Sequence, residues 1–241
     1  MKKGIDCTVQ ITAAVANDLK AQGISFACRY LVPVSMAWKR LTRTEAEAMT
    51  AAGIDILSIF ERKANSAAGG RNAGLSDGSA ALKEARIIGQ PEGSAIYFAV
   101  DYDAQPKEFD TLEAYLKAAE SSIPGYKVGV YGSFAVCEEM SKRGIPYCWQ
   151  TYAWSRGEKS ASANVYQYHN NAELSGITCD LNESYGNEGF WNLKPAAMTF
   201  DQALDILANK AYISKEYWVT KSGIDPNFEL LIIKIAKAIQ G

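Results

Sequence analysis

SAIYFAVDYD (94–103) is followed by KEFDTLEAYLKAAESS (107–122) and then by YKVGVYGS (126–133). The outer two segments are short apolar runs rich in β-branched and aromatic residues, and the middle one spaces its apolar residues at helical intervals. Strand, helix, strand in that order implies two parallel strands joined by a crossover helix. The first run also ends in Asp101 and Asp103, which alternation along a strand places on one face. Two carboxylates so close repel, and one of them tends to keep its proton at neutral pH. A core gains nothing from that, whereas a site that moves protons does.

The same alternation extends in both directions. Upstream, GIDCTV (4–9), SFACRYL (25–31) and DILSIFE (55–61) read as strands, and 12–23 and 42–53 as helices. ANSAAGGRNAGLSDG (64–78) reads as a Gly- and Asn-rich loop before a helix at 79–88, and a further helix is expected at 134–144. Downstream, YCWQTYAW (147–154), ANVYQYHN (163–170) and ITCDLN (177–182) are strand candidates with little helical sequence between them. Eight strands, the first five with helices, predict an α/β fold: a TIM-like (β/α) barrel that lacks helices after its last strands. A doubly wound open sheet is the competitor, but no Gly-rich phosphate loop follows the first strand.

In such a barrel the functional groups stand at the C-terminal ends of the strands. Those ends carry Asp6, Arg29, Glu61, Asp101 with Asp103, Tyr131, Trp154 and Asp180. Closure sets Asp180 beside Asp6, with Asp101 and Asp103 across the mouth and Glu61 to one side. Acids converging on a pocket with aromatic walls suit sugar binding and glycosidic cleavage. Each residue also has a plainer reading. A single Asp at a strand end often caps a turn, Tyr131 and Trp154 pack a rim, and Arg29 with Glu61 makes a salt bridge in the mouth.

With a net charge of −2, a pI near 5.6 and no long basic run, nucleic acid is not an expected partner. No run of 18 apolar residues suggests membrane insertion, and MKKGIDCTVQ does not read as a signal peptide. A protein made in the cytoplasm that works outside the cell then needs some other means of release. Five cysteines without a CxxC pair argue against a disulfide framework and a zinc knuckle, and no metal or cofactor is expected. Cys7, Cys28 and Cys179 each adjoin a charged strand residue, so they are expected to face the apolar layer behind the strands. The only histidine, His169, reads as a loop residue.

The barrel is expected to occupy 1–191, with 192–198 as a linker and 199–241 as a small helical unit. Thr199 with Gln202 forms a capping box, Ser214 starts a short helix, and Asp225-Pro226 opens the last one. With five Lys and five Asp or Glu, this unit is neutral overall and has no bulk charge with which to attract a charged partner. Tyr212, Tyr217 and Trp218 either stack on sugars or pack the helices.

GIDCT, VDYD, KVGVYGS, WQTYAW and VYQYHN…GITCDLN resemble the family 25 lysozymes. ACRYL, the IFE strand, the glycine-rich loop and PEGSAIYFAVDYD are closer still to a glycoside-hydrolase-like barrel family related to those enzymes. The resemblance spans roughly residues 4 to 190. The terminal helices are similar to the short modules appended to phage or prophage endolysins. The resemblance implies cleavage of peptidoglycan between N-acetylmuramic acid and N-acetylglucosamine, with bacterial cell-wall glycan as partner. Asp6, Asp101, Asp103 and Asp180 match the family's acidic cluster. Asp103 stands where the lysozymes carry the proton-donating glutamate and is one methylene shorter, so Asp103 or Glu61 is expected to be the acid. Asp101 then orients the substrate or stabilises positive charge, and Asp6 and Asp180 tune the cluster. The alternative is a sugar-binding barrel without catalysis, and a plain interaction scaffold is a third reading.

Overall fold

The computed structural model describes residues 1–193, 200–211, 214, 218–219 and 226–240, which divide into a unit at Met1–Leu193 and a unit at Lys194–Gly241. In the first, eight strands close a barrel in chain order: β1 (Lys2–Asp6), β2 (Ile24–Tyr30), β3 (Asp55–Phe60), β4 (Ala95–Ala99), β5 (Lys127–Gly132), β6 (Tyr147–Thr151), β7 (Val165–Leu174) and β8 (Ile177–Ser184). Helices α1 (Ala13–Ala21), α2 (Arg43–Ala52), α3 (Gly70–Ile88), α4 (Phe109–Ser121) and α5 (Phe134–Lys142) follow or link the first six strands. Thr12, Thr42 and Ser133 accept backbone N–H bonds as the N-caps of α1, α2 and α5.

The strands from β1 to β7 pair in parallel, but β8 runs antiparallel to both β7 and β1. The cause is local. Ser175 and Gly176 both have positive φ (52° and 76°), the signature of a two-residue hairpin turn. So short a link reverses the chain, since a parallel return needs a crossover of about a dozen residues.

Alternation sorts the barrel side chains into two cores. Phe26, Cys28, Leu57, Tyr97, Tyr131, Trp149 and Val165 fill the interior. Ile5, Ala27, Ile56, Phe98 and Val130 face outward against the helices, together with Cys7 and Cys179. Cys28 therefore departs from its expected place: it faces inward. Cys137 on α5 and Cys148 on β6 form a disulfide, so an odd cysteine count did not exclude a single bridge. His169 lies within β7 and is exposed, not in a loop.

The segment expected as a loop at 64–78 is mostly helix: α3 begins at Gly70 after a 3₁₀ turn at Ser66–Gly69. Gly74 and Gly78, one helical turn apart, let α4 approach to backbone contact. A Cβ at Gly74 would stand 2.1 Å from the Tyr115 carbonyl oxygen, and one at Gly78 would stand 2.7 Å from that of Ala119. Close packing outweighs the roughly 1 kcal/mol that each glycine costs inside a helix. Gly74→Ala is therefore expected to lower stability by about 1–3 kcal/mol, although alanine is the better helix former. Thermal melting checks this, and an unchanged or raised midpoint would refute it.

In the second unit α6 (Phe200–Ala211) and α7 (Pro226–Gln240) join through Ala203, Leu204, Leu207, Ile232 and Ala236. Trp218 stacks on Phe228 with ring centroids 5.3 Å apart, so this aromatic packs the helical unit. The caps expected at Thr199 and Asp225, with Tyr212, Tyr217 and most of the short helix after Ser214, lie outside the described residues.

Candidate active site

The rim at the C-terminal ends of β1 to β7 surrounds a pocket of about 160 Å³. Its floor is built on β1 and β8, where the register sets Asp6 directly opposite Asp180. Because β8 runs antiparallel, Asp180 reaches this rim from the first half of its strand. Gln167 on β7 bridges the two acids: its Nε2 donates to Asp6 Oδ2 (2.9 Å) and to Asp180 Oδ2 (3.1 Å). Its Oε1 accepts from the Tyr131 hydroxyl (2.9 Å) and from Thr151 Oγ1 (2.8 Å). Asn182 Nδ2 gives Asp6 Oδ2 a further bond at 2.7 Å, and Trp149 Nε1 donates to Asn182 Oδ1 at 2.8 Å. The indole N–H can only donate, so it fixes the Asn182 amide and directs its N–H groups at Asp6. Asp180 Oδ1 accepts the Asn171 backbone N–H at 2.9 Å.

The environment raises three of the acids. Burial lifts Asp6 to about 7, reinforced by the Asp180 charge and opposed by the two amide bonds and Arg29. Burial also lifts Asp101, to about 6, with Glu61 and Asp180 adding to the shift and Lys39 opposing it. Asp180 is raised by burial against the Asn171 N–H and His169. Desolvation is the leading cause in each case.

Glu61, just past β3, lines the pocket and accepts from Lys39 Nζ at 2.8 Å. The Lys39 ammonium is buried and stands 4.4 Å from the Tyr30 ring centroid. Lys39 is thus the partner of Glu61, a role the sequence reading considered only for Arg29. Arg29 does not reach the pocket. The inward residues of β2 are Phe26, Cys28 and Tyr30, so Arg29 points outward and is fully buried against α2. There its Nε donates to Glu45 Oε1 at 2.6 Å, and its Nη1 donates to the Cys7 carbonyl. Tyr30 lines the pocket where Arg29 was expected.

Asp101 and Asp103 also part company. β4 ends at Ala99, and residues 101–105 are irregular, so alternation no longer holds them on one face. Asp101 is half-buried and lines the pocket; Asp103 is exposed and does not. Tyr131 is buried in the wall. Trp154 is 41% exposed on the β6–β7 connection and outside the lining, and Trp149 supplies the indole there. Asn170 lines the pocket too, with a buried Oδ1 that has no partner. Gln167, Asn182 and Lys39 went unassigned in the sequence, although Gln167 sits inside the VYQYHN stretch. Among the described residues no three His, Cys, Asp or Glu side chains come together as a metal-ligand set.

The chain is 22% identical to the Mycobacterium tuberculosis Tat-secreted protein Rv2525c, solved with L-tartrate, at a TM-score of 0.71 covering 79% of this chain and 98% of that one. Its fold also matches GHIP, a glycosyl hydrolase 25 of Streptococcus pneumoniae (13% identity, TM-score 0.53, 78% and 89% covered). The catalytic domain of endolysin ply40 from the Listeria monocytogenes bacteriophage P40 is similar (15%, 0.53, 78% and 94%). FadG of Bacillus subtilis (strain 168) is 29% identical over 157 residues, 61% of this chain and 27% of that protein. The chain spans about a quarter of the length of the curated relatives it matches. Residues 17–199 match the model of one family, and the chain belongs to it: the Rv2525c-like, glycoside hydrolase-like domain.

Proposed function

We propose that the barrel is a glycosidase that cleaves bacterial cell-wall glycan, with Asp101 as its general acid. The observation that carries this reading is Asp101 itself: it lines the pocket and is held up to about 6, so near neutral pH it supplies a proton. As the glycosidic C–O bond breaks, Asp101 protonates the leaving oxygen. The oxocarbenium-like charge on the sugar faces Asp180 and Glu61, and a water completes hydrolysis. At about 160 Å³ the pocket is below the roughly 300–1,000 Å³ of sites that enclose a drug-sized ligand, which suits one ring of a longer chain. The Cys137–Cys148 disulfide supports action in an oxidising place, outside the membrane.

Purified cell wall tests the reading. New reducing ends are expected, at a rate that is highest below about pH 6 and falls about tenfold per pH unit above it, as Asp101 loses its proton. A flat profile between pH 5 and 9 would rule Asp101 out. One observation favours a second reading, a sugar-binding barrel without catalysis: Asp103 stands outside the pocket and Lys39 holds Glu61 in an ion pair. Wall that retains the protein at pH 5 but releases no reducing ends would establish it.

A further inference from the structure

Two tryptophans stand in the open on the rim that holds the pocket. Trp38 is 64% exposed on the connection after β2, and Trp154 is 41% exposed on the connection after β6. Trp149 and Trp191, by contrast, are buried. In a closed ring of eight strands β2 and β6 are four places apart, so these connections leave the barrel on opposite sides of its mouth. Each is tied to the pocket. Trp38 precedes Lys39, whose ammonium lies 5.4 Å from the Trp38 ring centroid and 2.8 Å from the pocket acid Glu61. Trp154 lies three residues past Thr151, which donates to the Gln167 amide that bridges Asp6 and Asp180.

The backbone at Trp154 is a second, independent sign. Its φ of 56° is in the left-handed region, where a bulky residue is strained and Gly or Asn is usual. The turn is not loosely held. Ser155 Oγ donates to the Thr151 carbonyl at 2.6 Å and accepts the Phe134 N–H at 2.8 Å. The same turn holds Arg156 at a φ of 51°, so a pinned, strained turn presents the partly exposed Trp154 ring to solvent, and such strain tends to mark functional positions.

We propose that Trp38 and Trp154 are stacking platforms at the two ends of a groove that crosses the pocket. The ligand is then an internal stretch of a linear glycan, at least three rings long, with the middle ring over the acids and an outer ring on each indole. The flat apolar face and polar edge of an indole suit the apolar face and hydroxyl rim of a pyranose. This rests on the glycosidase reading for the identity of the ligand, and it adds a chain-length requirement that the pocket alone does not impose.

Full-length protein is titrated at pH 8 with β-1,4-linked N-acetylglucosamine oligomers of one to six rings, by calorimetry and by tryptophan fluorescence. Parent affinity is expected to rise up to at least three rings. Trp38→Ala and Trp154→Ala are each expected to weaken the longest oligomer by roughly three- to tenfold and to leave the single sugar unchanged. The double variant is expected to lose the length dependence. Trp38→Ala should melt like the parent, because that side chain is mostly in solvent, and thermal melting checks that the other two variants are folded at the titration temperature. Variants that bind every length as the parent does would overturn the groove, and so would an equal loss for one ring and six; either leaves the glycosidase reading in place. A parent that binds the single sugar as well as the hexamer would also overturn it. A parent that binds neither the oligomers nor soluble wall fragments would remove the glycan reading and the groove together.

Discussion

Asp101→Asn is expected to slow wall-glycan cleavage by about 10²–10⁴-fold, the usual contribution of a positioned general acid. Asparagine keeps the size and shape of the side chain but has no proton to give to a leaving oxygen. Asp101 meets three conditions together: it lines the pocket, it is half-buried and it is held up to about 6. Asp6 is raised further, but it sits on the pocket floor with two amide N–H groups on one oxygen, which favours a fixed role over proton delivery. Asp103 is exposed and outside the lining, so Asp103→Asn should cleave within about twofold of the parent, well inside the general-acid range. The Asp101 backbone N–H bonds to the Ala64 carbonyl at 3.1 Å, which the substitution leaves in place. The Asp101→Asn protein should therefore fold and still bind oligosaccharide. Parental activity in this variant would transfer the role of acid to Glu61, and Glu61→Gln would then be the inactive protein.

The relation between Asp101 and Asp103 shows how far the sequence could be read. SAIYFAVDYD reads as a buried strand, and alternation holds from Ala95 to Ala99; Asp101 lies just past that end and lines the pocket. Asp103 is misplaced because the strand stops at Ala99, four residues earlier, and nothing in an apolar run marks where hydrogen bonding to the neighbouring strands ceases. The same one-residue sensitivity sent Arg29 to the wrong side. On β2 the inward face carries Cys28 and Tyr30, an assignment that depends on register, not composition. Eight strands and their order were legible, but the reversal of β8 lay in two residues, Ser175 and Gly176, that also fit an ordinary loop. The glycines of α3 looked like loop because their helical purpose, the approach of Gly74 and Gly78 to α4, is set by another element. Lys39 and Gln167 act across strands, so their roles emerge only once the barrel is closed.

That closure also makes the floor of the site costly to the fold, with a measurable pH signature. Asp6 is raised from 3.8 to about 7 by its burial first and the Asp180 charge second. The folded protein holds this proton more tightly than the unfolded chain does, so the stability gained from it is complete below about pH 4 and is lost as the pH rises through about 7. A shift of that size corresponds to a loss on the order of 4 kcal/mol between those limits, equivalent to keeping a buried, ionised carboxylate beside Asp180. Asp6→Asn removes the charge and retains a carbonyl oxygen to accept from Gln167 or Asn182. The variant is therefore expected to be no more stable than the parent at pH 4, and more stable than it at pH 8 by up to a few kcal/mol. Urea unfolding of both proteins at half-unit intervals from pH 4 to 9 checks this, because the difference between the two curves isolates Asp6 from the other titrating groups. The difference should grow steadily from about pH 4 and level off above about pH 7. A difference independent of pH would show that Asp6 stays ionised throughout, with Gln167 and Asn182 compensating fully for its burial. The same variant is expected to lose glycan cleavage while it gains stability, since the strained acid belongs to the site and not to the packing around it.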